Sequence, residues 1–96
     1  MNKILSFVMV GSNDFKKSSI FYDSIFVHLK IKKVVTTERY IGYAHLNEPN
    51  EVRFYITKPH NEKPATIGNG TMIAFLAETK EAVNKFHSTA LENGAV

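Results

Sequence analysis

The 96-residue sequence contains no cysteine and no tryptophan, only three prolines and five glycines, and no long apolar run. Without cysteine there can be no disulfide scaffold, no thiolate zinc ribbon and no sulfur nucleophile, which fits a reducing compartment. The longest N-terminal apolar stretch, Ile4 to Val10, follows a single Lys3 and runs into Gly11-Ser12-Asn13-Asp14. It is too short for a membrane span, and it lacks the small-residue cleavage pattern of a secretory leader. A buried strand in a cytoplasmic protein is the expectation. With 44% apolar and 22% charged residues, the composition is that of an ordinary globular domain rather than a disordered chain.

Positive charge is unevenly placed. The first 33 residues hold Lys3, Lys16, Lys17, Lys30, Lys32 and Lys33 against Asp14 and Asp23, whereas the remainder is close to neutral. Such an excess can attract phosphate, but lysines on a helix are usually a solvated face. No basic–aromatic strand pattern of the kind that reads RNA accompanies it, so a nucleic-acid partner is not expected. A membrane partner is not expected either.

Periodicity orders the chain into elements. Ile4 to Val10 reads as a strand ending at Gly11. Asn13 is placed to cap a helix, with Asp14 in its first turn and Phe15, Ser18, Phe21, Tyr22, Ile25 and Leu29 on one face. Lys30, Lys32 and Lys33 suit the negative end of that helix. Val34–Thr37, Tyr40–Leu46 and Glu51–Thr57 are short β-branched and aromatic runs that read as an antiparallel meander. Pro59, Pro64, Gly68 and Gly70 mark a linker-like stretch. A further strand, Thr71–Ala77, then leads through an N-cap at Thr79 to a helix lined by Ala82, Val83, Phe86, Ala90 and Leu91, closed by Gly94.

The two strand–helix units align at a constant offset. Phe7 falls on Met72, Val8 on Ile73, Val10 on Phe75, Asp14 on Thr79 and Phe26 on Leu91. This suggests an internal duplication. The expected organisation is a βαβββ module over residues 1–60, a linker over 61–70 and an incomplete second module, strand plus helix, over 71–96. A complete second module would run to about residue 123, beyond Val96.

Three stretches carry a resemblance. Val10-Gly11-Ser12-Asn13-Asp14-Phe15 with Ser18, Phe21, Tyr22 and Asp23 is similar to the opening strand and helix of the vicinal oxygen chelate superfamily. That superfamily includes glyoxalases, bleomycin-resistance proteins and extradiol dioxygenases. Gly68 to Phe75 resembles its fifth strand, and Val83, Phe86, His87, Ala90, Leu91 and Gly94 resemble the helix that follows. The resemblance implies an α+β fold of βαβββ modules, strands cupped around a ligand pocket, and often a dimer. It also implies where a metal would sit: on the first strand at the position of Phe7, on the fifth at Met72, and on a last strand beyond Val96. Neither an aromatic ring nor a thioether suits Zn, Ni, Mn or Fe(II), which take imidazole and carboxylate. Metal-dependent lyase, isomerase or dioxygenase chemistry is therefore not expected, and no cofactor is assigned.

The remaining polar residues form no catalytic signature. His28, His45, His60 and His87 show no paired metal spacing, and His45 lies on a strand of undecided facing. The serines lack a nucleophile elbow. Strand alternation instead outlines an apolar cup. Leu5, Phe7 and Met9 face it from the first strand, and Met72, Ala74 and Leu76 from the fifth. Arg53 and Tyr55 join them if the polar side of the fourth strand turns inward. The expected ligand-binding set is Phe7, Met9, Arg53, Tyr55, Met72 and Ala74, with an aromatic or planar small molecule as ligand. The alternative readings are a metal-dependent lyase, isomerase or dioxygenase of the same superfamily and a fragment without independent function. An unpaired Thr71–Ala77 edge would recruit a second copy, giving a homodimer by pairing or exchange of strands.

Overall fold

The computed structural model describes residues 4–66 and 68–96, so Lys3 of the basic N-terminal third and Ile67 of the 61–70 stretch lie outside the described residues. The elements are β1 (Val8–Gly11), α1 (Phe15–Phe26) with a 3-10 turn at Val27–Leu29, β2 (Ile31–Thr36), β3 (Tyr40–His45), β4 (Phe54–Thr57) and α2 (Lys80–Glu92). One mixed sheet has the order β1-β4-β3-β2. The meander β2-β3-β4 is antiparallel as its short runs and turns imply, and β1 joins it in parallel, Val8 opposite Phe54 and Met9 opposite Tyr55. Helix α1 is the crossover that brings the chain from β1 to the far edge at β2. This is a βαβββ module with a trailing helix, an α+β architecture. No helix among the described residues is long and apolar enough to cross a membrane.

Several boundaries differ from those expected, each for a local reason. β1 begins at Val8, because only from there does the chain meet β4; Ile4 to Phe7 lie outside the ladder and are exposed. Asp14, not Asn13, caps α1, its carboxylate accepting the Lys17 amide at 3.1 Å. Asn13 is used elsewhere. Its side chain accepts the Ala65 amide at 2.7 Å and donates to the Ala65 carbonyl at 3.1 Å, pinning the Pro-containing stretch to the start of α1. The helix also ends sooner than the lysines suggest. Lys30 turns left-handed (φ 60°), and Lys32 and Lys33 are residues of β2.

Helix α1 buries Ser19, Ile25 and Phe26 against the sheet, with Leu29 below them. Phe26 is fully enclosed, although the expected apolar face does not include it. Its ring meets Tyr43 at 5.0 Å, Phe75 at 5.2 Å, and Tyr22 and Phe54 at 5.3 Å. Three of these contacts are edge-on, the arrangement favoured by the ring quadrupole. Ile41, Phe54 and Ile56 complete the core from β3 and β4. Helix α2 is shallower. Phe86 and Ala90 reach the core, but Val83 and Leu91, expected on the same face, are more than half exposed. His28 Nε2 ties α1's end to α2 through Thr89 Oγ1 at 2.8 Å.

The expected strand Thr71–Ala77 is not one. The segment has the alternation of a strand, with Met72, Ala74 and Leu76 exposed and Ile73, Phe75 and Ala77 half-buried against the core. It has no ladder. From Met72 to Ala77 no backbone hydrogen bond reaches any described residue. Side-chain burial therefore holds it in place, with no sheet partner among the described residues to convert its extended shape into β-structure.

This packing can be probed at two aromatic residues. Phe26→Ala removes a ring from a filled site, and chemical denaturation should show a loss of about 3–5 kcal/mol. The other is Tyr43, whose hydroxyl donates to Asp23 Oδ1 at 2.9 Å. Burial and the neighbouring Asp23 carboxylate push its pKa far above the ordinary 10.0. The unfolded chain releases this proton first, so above about pH 10 the folded state holds more protons and stability falls as pH rises. Tyr43→Phe should lower stability at neutral pH and flatten that alkaline decline; an unchanged slope would contradict the assignment.

Candidate functional site

Alternation along the strands sends side chains to two surfaces. Val8, Val10, Ile41, Tyr43, Phe54 and Ile56 face the helices. Met9, Gly42, Ala44 and Tyr55 point to the opposite face. There the Phe7 ring meets Tyr55 edge-on at 5.1 Å, and Tyr55 meets Tyr40 edge-on at 5.5 Å. Gly42 lies beneath this row. A β-carbon there would stand 2.5 Å from Val35 Cγ1 and 2.9 Å from Val52 Cγ1, so only glycine admits the present packing. The polar side of β4 does therefore share a face with Phe7 and Met9, as one of the two parity alternatives required.

The main cavity opens where this face runs out, at the sheet end formed by the start of β1, the end of β3 and the start of β4. It has a volume of about 780 Å³, and the segment 72–78 forms its far wall. Phe7, Arg53, Met72 and Ala74 all line it. Residues distant in sequence thus meet in one place. Met9 and Tyr55 do not line it; they continue the apolar surface from Phe7 along the open sheet face. Leu5, Ala44, Phe54, Phe75 and Leu76 supply much of the remaining apolar wall.

Polar groups gather at one side. Arg53 Nη1 donates to the Ser6 carbonyl at 2.8 Å, and Nη2 pairs with Glu51 at 3.1 Å, so the guanidinium holds the chain leading into β1. His45 Nδ1 accepts the Asn47 amide at 3.1 Å, which leaves the proton of a neutral ring on Nε2. That nitrogen faces Glu78 Oε1 at 4.0 Å, while Glu78 Oε2 pairs with Lys30 at 3.1 Å. Residues 30, 45 and 78 thereby anchor the end of the far wall. Sequence reasoning leaves His45 undecided between cup and exterior and does not single out Glu78. A signal for Glu78 exists, since it continues the parity of Met72, Ala74 and Leu76.

The donor set does not suit a catalytic metal. Two positions at which the resemblance implies ligands hold Phe7 and Met72, whose side chains offer a ring and a soft thioether. Among the described residues no three His, Cys, Asp or Glu side chains come together as a metal site. His45 and Glu78 approach each other without a third donor, and Glu78 is already engaged by Lys30.

A second polar network lies between the helix and the sheet. Lys33 pairs with Asp23 at 3.1 Å and donates to Ser19 Oγ, while Asp23 also accepts from Tyr43. This network fastens α1 to β2 and β3.

No protein-family model matches the chain, and no curated protein matches it. Among solved structures it is similar to the crystal structure of a glyoxalase/bleomycin resistance protein from Albidiferax ferrireducens T118. The TM-score is 0.84 at 36% identity, covering 96% of this chain and 71% of that one. Overlap of this extent and identity, on the same βαβββ framework, places the chain in the glyoxalase/bleomycin resistance family of the vicinal oxygen chelate superfamily.

Proposed function

We propose that the protein binds a small aromatic or planar molecule without a metal ion. The cavity at the sheet end carries this reading. Its volume of about 780 Å³ falls within the range of small-molecule sites, and its walls are mainly apolar with a few polar groups to one side. Phe7 and Phe75 offer ring surfaces, and Met72 adds a flexible, polarisable wall that adapts to a flat ligand. Arg53 and the Nε2–H of His45 supply donors that orient a carbonyl, carboxylate or ring acceptor.

A thermal-shift screen against planar aromatic compounds tests the reading. A ligand at one hundred times its dissociation constant adds about 2.7 kcal/mol, which for a domain of this size raises the melting temperature by roughly 10 °C or more. Leu5→Asp puts a charge in the apolar wall at an exposed position outside every regular element, so it should abolish the shift while leaving the unliganded melt unchanged. Absence of any hit across a chemically broad panel would count against the proposal.

Addition of Zn, Ni, Mn or Fe(II) should leave the melting temperature unmoved. A stoichiometric, chelator-reversible rise would show a donor set that the residues named above do not supply.

A further inference from the structure

Two places in the chain put a glycine directly after an asparagine, Asn69-Gly70 and Asn93-Gly94. The pairing has its own chemistry. The glycine amide nitrogen can attack the asparagine carboxamide, and a residue without a β-carbon leaves that approach open. The fold treats the two pairs differently. Asn93 ends α2, and its Nδ2 donates to the Thr89 carbonyl at 2.8 Å. Its backbone amide is shared between the Thr89 and Ala90 carbonyls, and the Gly94 amide donates to the Leu91 carbonyl at 3.4 Å. Both reacting groups are thus engaged. Asn69 and Gly70 are instead the exposed central residues of a turn closed by the Thr71 amide, which donates to the Gly68 carbonyl at 3.0 Å. Neither the Asn69 carboxamide nor the Gly70 amide has a hydrogen-bond partner among the described residues. A β-carbon at Gly70 would meet nothing within 4 Å, so no neighbouring group obstructs the backbone there.

We propose that Asn69 is a site of spontaneous covalent modification, converting in the folded protein to aspartate and isoaspartate while Asn93 persists. The Gly70 nitrogen attacks Asn69 Cγ, and the new C–N bond closes a succinimide ring. The Cγ–Nδ2 bond breaks, and Nδ2 leaves as ammonia with the proton given up by the Gly70 amide. Water then opens the ring. Its oxygen bonds to one ring carbonyl carbon, the bond from that carbon to the Gly70 nitrogen breaks, and the nitrogen recovers a proton. Opening at Cγ gives aspartate. Opening at the main-chain carbonyl gives isoaspartate, in which the backbone runs through Cγ and the α-carboxylate is left free. The reaction consumes only water. It adds one negative charge to a chain of formal net charge +3. In the isoaspartyl form it also lengthens the backbone of the turn that leads to Met72 and the far wall of the cavity. At Asn93 the same attack must wait until the carboxamide leaves Thr89 and the last turn of α2 opens, which costs free energy.

The modification is independent of ligand binding and has its own test. The full chain is incubated at mildly alkaline pH and followed by peptide mapping with mass spectrometry. The peptide holding Asn69 should gain the mass difference between NH2 and OH at roughly ten times the rate of the peptide holding Asn93, or faster. It should also accept methyl groups from S-adenosylmethionine in the presence of an isoaspartyl methyltransferase. In concentrated guanidinium chloride, where the cap at Asn93 is gone, the two sites should react at comparable rates. Gly70→Ala tests the attacking group. The site has room for the methyl group and lies outside the positive-φ region, so the fold is retained while the added β-carbon slows ring closure. A folded protein in which Asn69 is stable would overturn the proposal, as would equal conversion at Asn93 or undiminished conversion in Gly70→Ala. A rate difference that persisted in denaturant would do the same, since the selectivity would then lie in the residues around each pair and not in the fold.

Discussion

The ring of Phe26 is the point on which the rest of this small domain converges. It is fully buried and touches aromatic side chains from α1, β3 and β4 and from the segment after residue 70. A chain of 96 residues has little interior to divide among separate cores, so one large ring shared by four segments takes the place of the several clusters found in a bigger protein. The consequence is positional as well as energetic. Phe54 sets where β4 meets β1, and Phe75 fixes the far wall of the cavity. Both orientations depend on their contact with Phe26 and with each other, at 5.5 Å.

That dependence explains the character of the site. One wall of the cavity is a hydrogen-bonded sheet end, and the other is an extended segment held through Ile73, Phe75 and Ala77 with a polar anchor at Glu78. Side-chain burial resists displacement without imposing the register that a ladder would impose. The pocket is accordingly built from one rigid and one less constrained surface, and the adaptable Met72 stands on the latter. The same arrangement leaves the backbone of residues 72–77 without a hydrogen-bond partner among the described residues.

Much of this arrangement is legible without coordinates. β-branched runs separated by turn residues give the meander, a three-and-four spacing gives both helices, and the motif likeness around Asp14, Gly70 and Phe86 leads to the family that the structural comparison supports. Parity gives the orientation of Val8 and Val10, and of Ile73, Phe75 and Ala77. Phe26 escapes the first helix face because residues 15, 18, 22, 25 and 29 already satisfy helical spacing. A stripe wide enough to include 19 and 26 has no separate signature. Asn13 looks like a cap because nothing local reveals that Ala65 claims both of its side-chain groups.

The sequence by itself determined which segments are helical or extended and which side of each is apolar; the resemblance it carries added that Phe7 and Met72 stand where metal ligands are implied. These are properties of single residues and of their spacing along one element. Only the tertiary structure decided that Phe7, Arg53, Met72 and Ala74 share a cavity while Met9 and Tyr55 stand outside it. Only there did His45 and Glu78 meet, and only there did Thr71–Ala77 prove extended without being a strand. A strand is defined by hydrogen bonds to a neighbour, and a cavity by the distance between walls. Neither quantity exists until separate elements have been packed together.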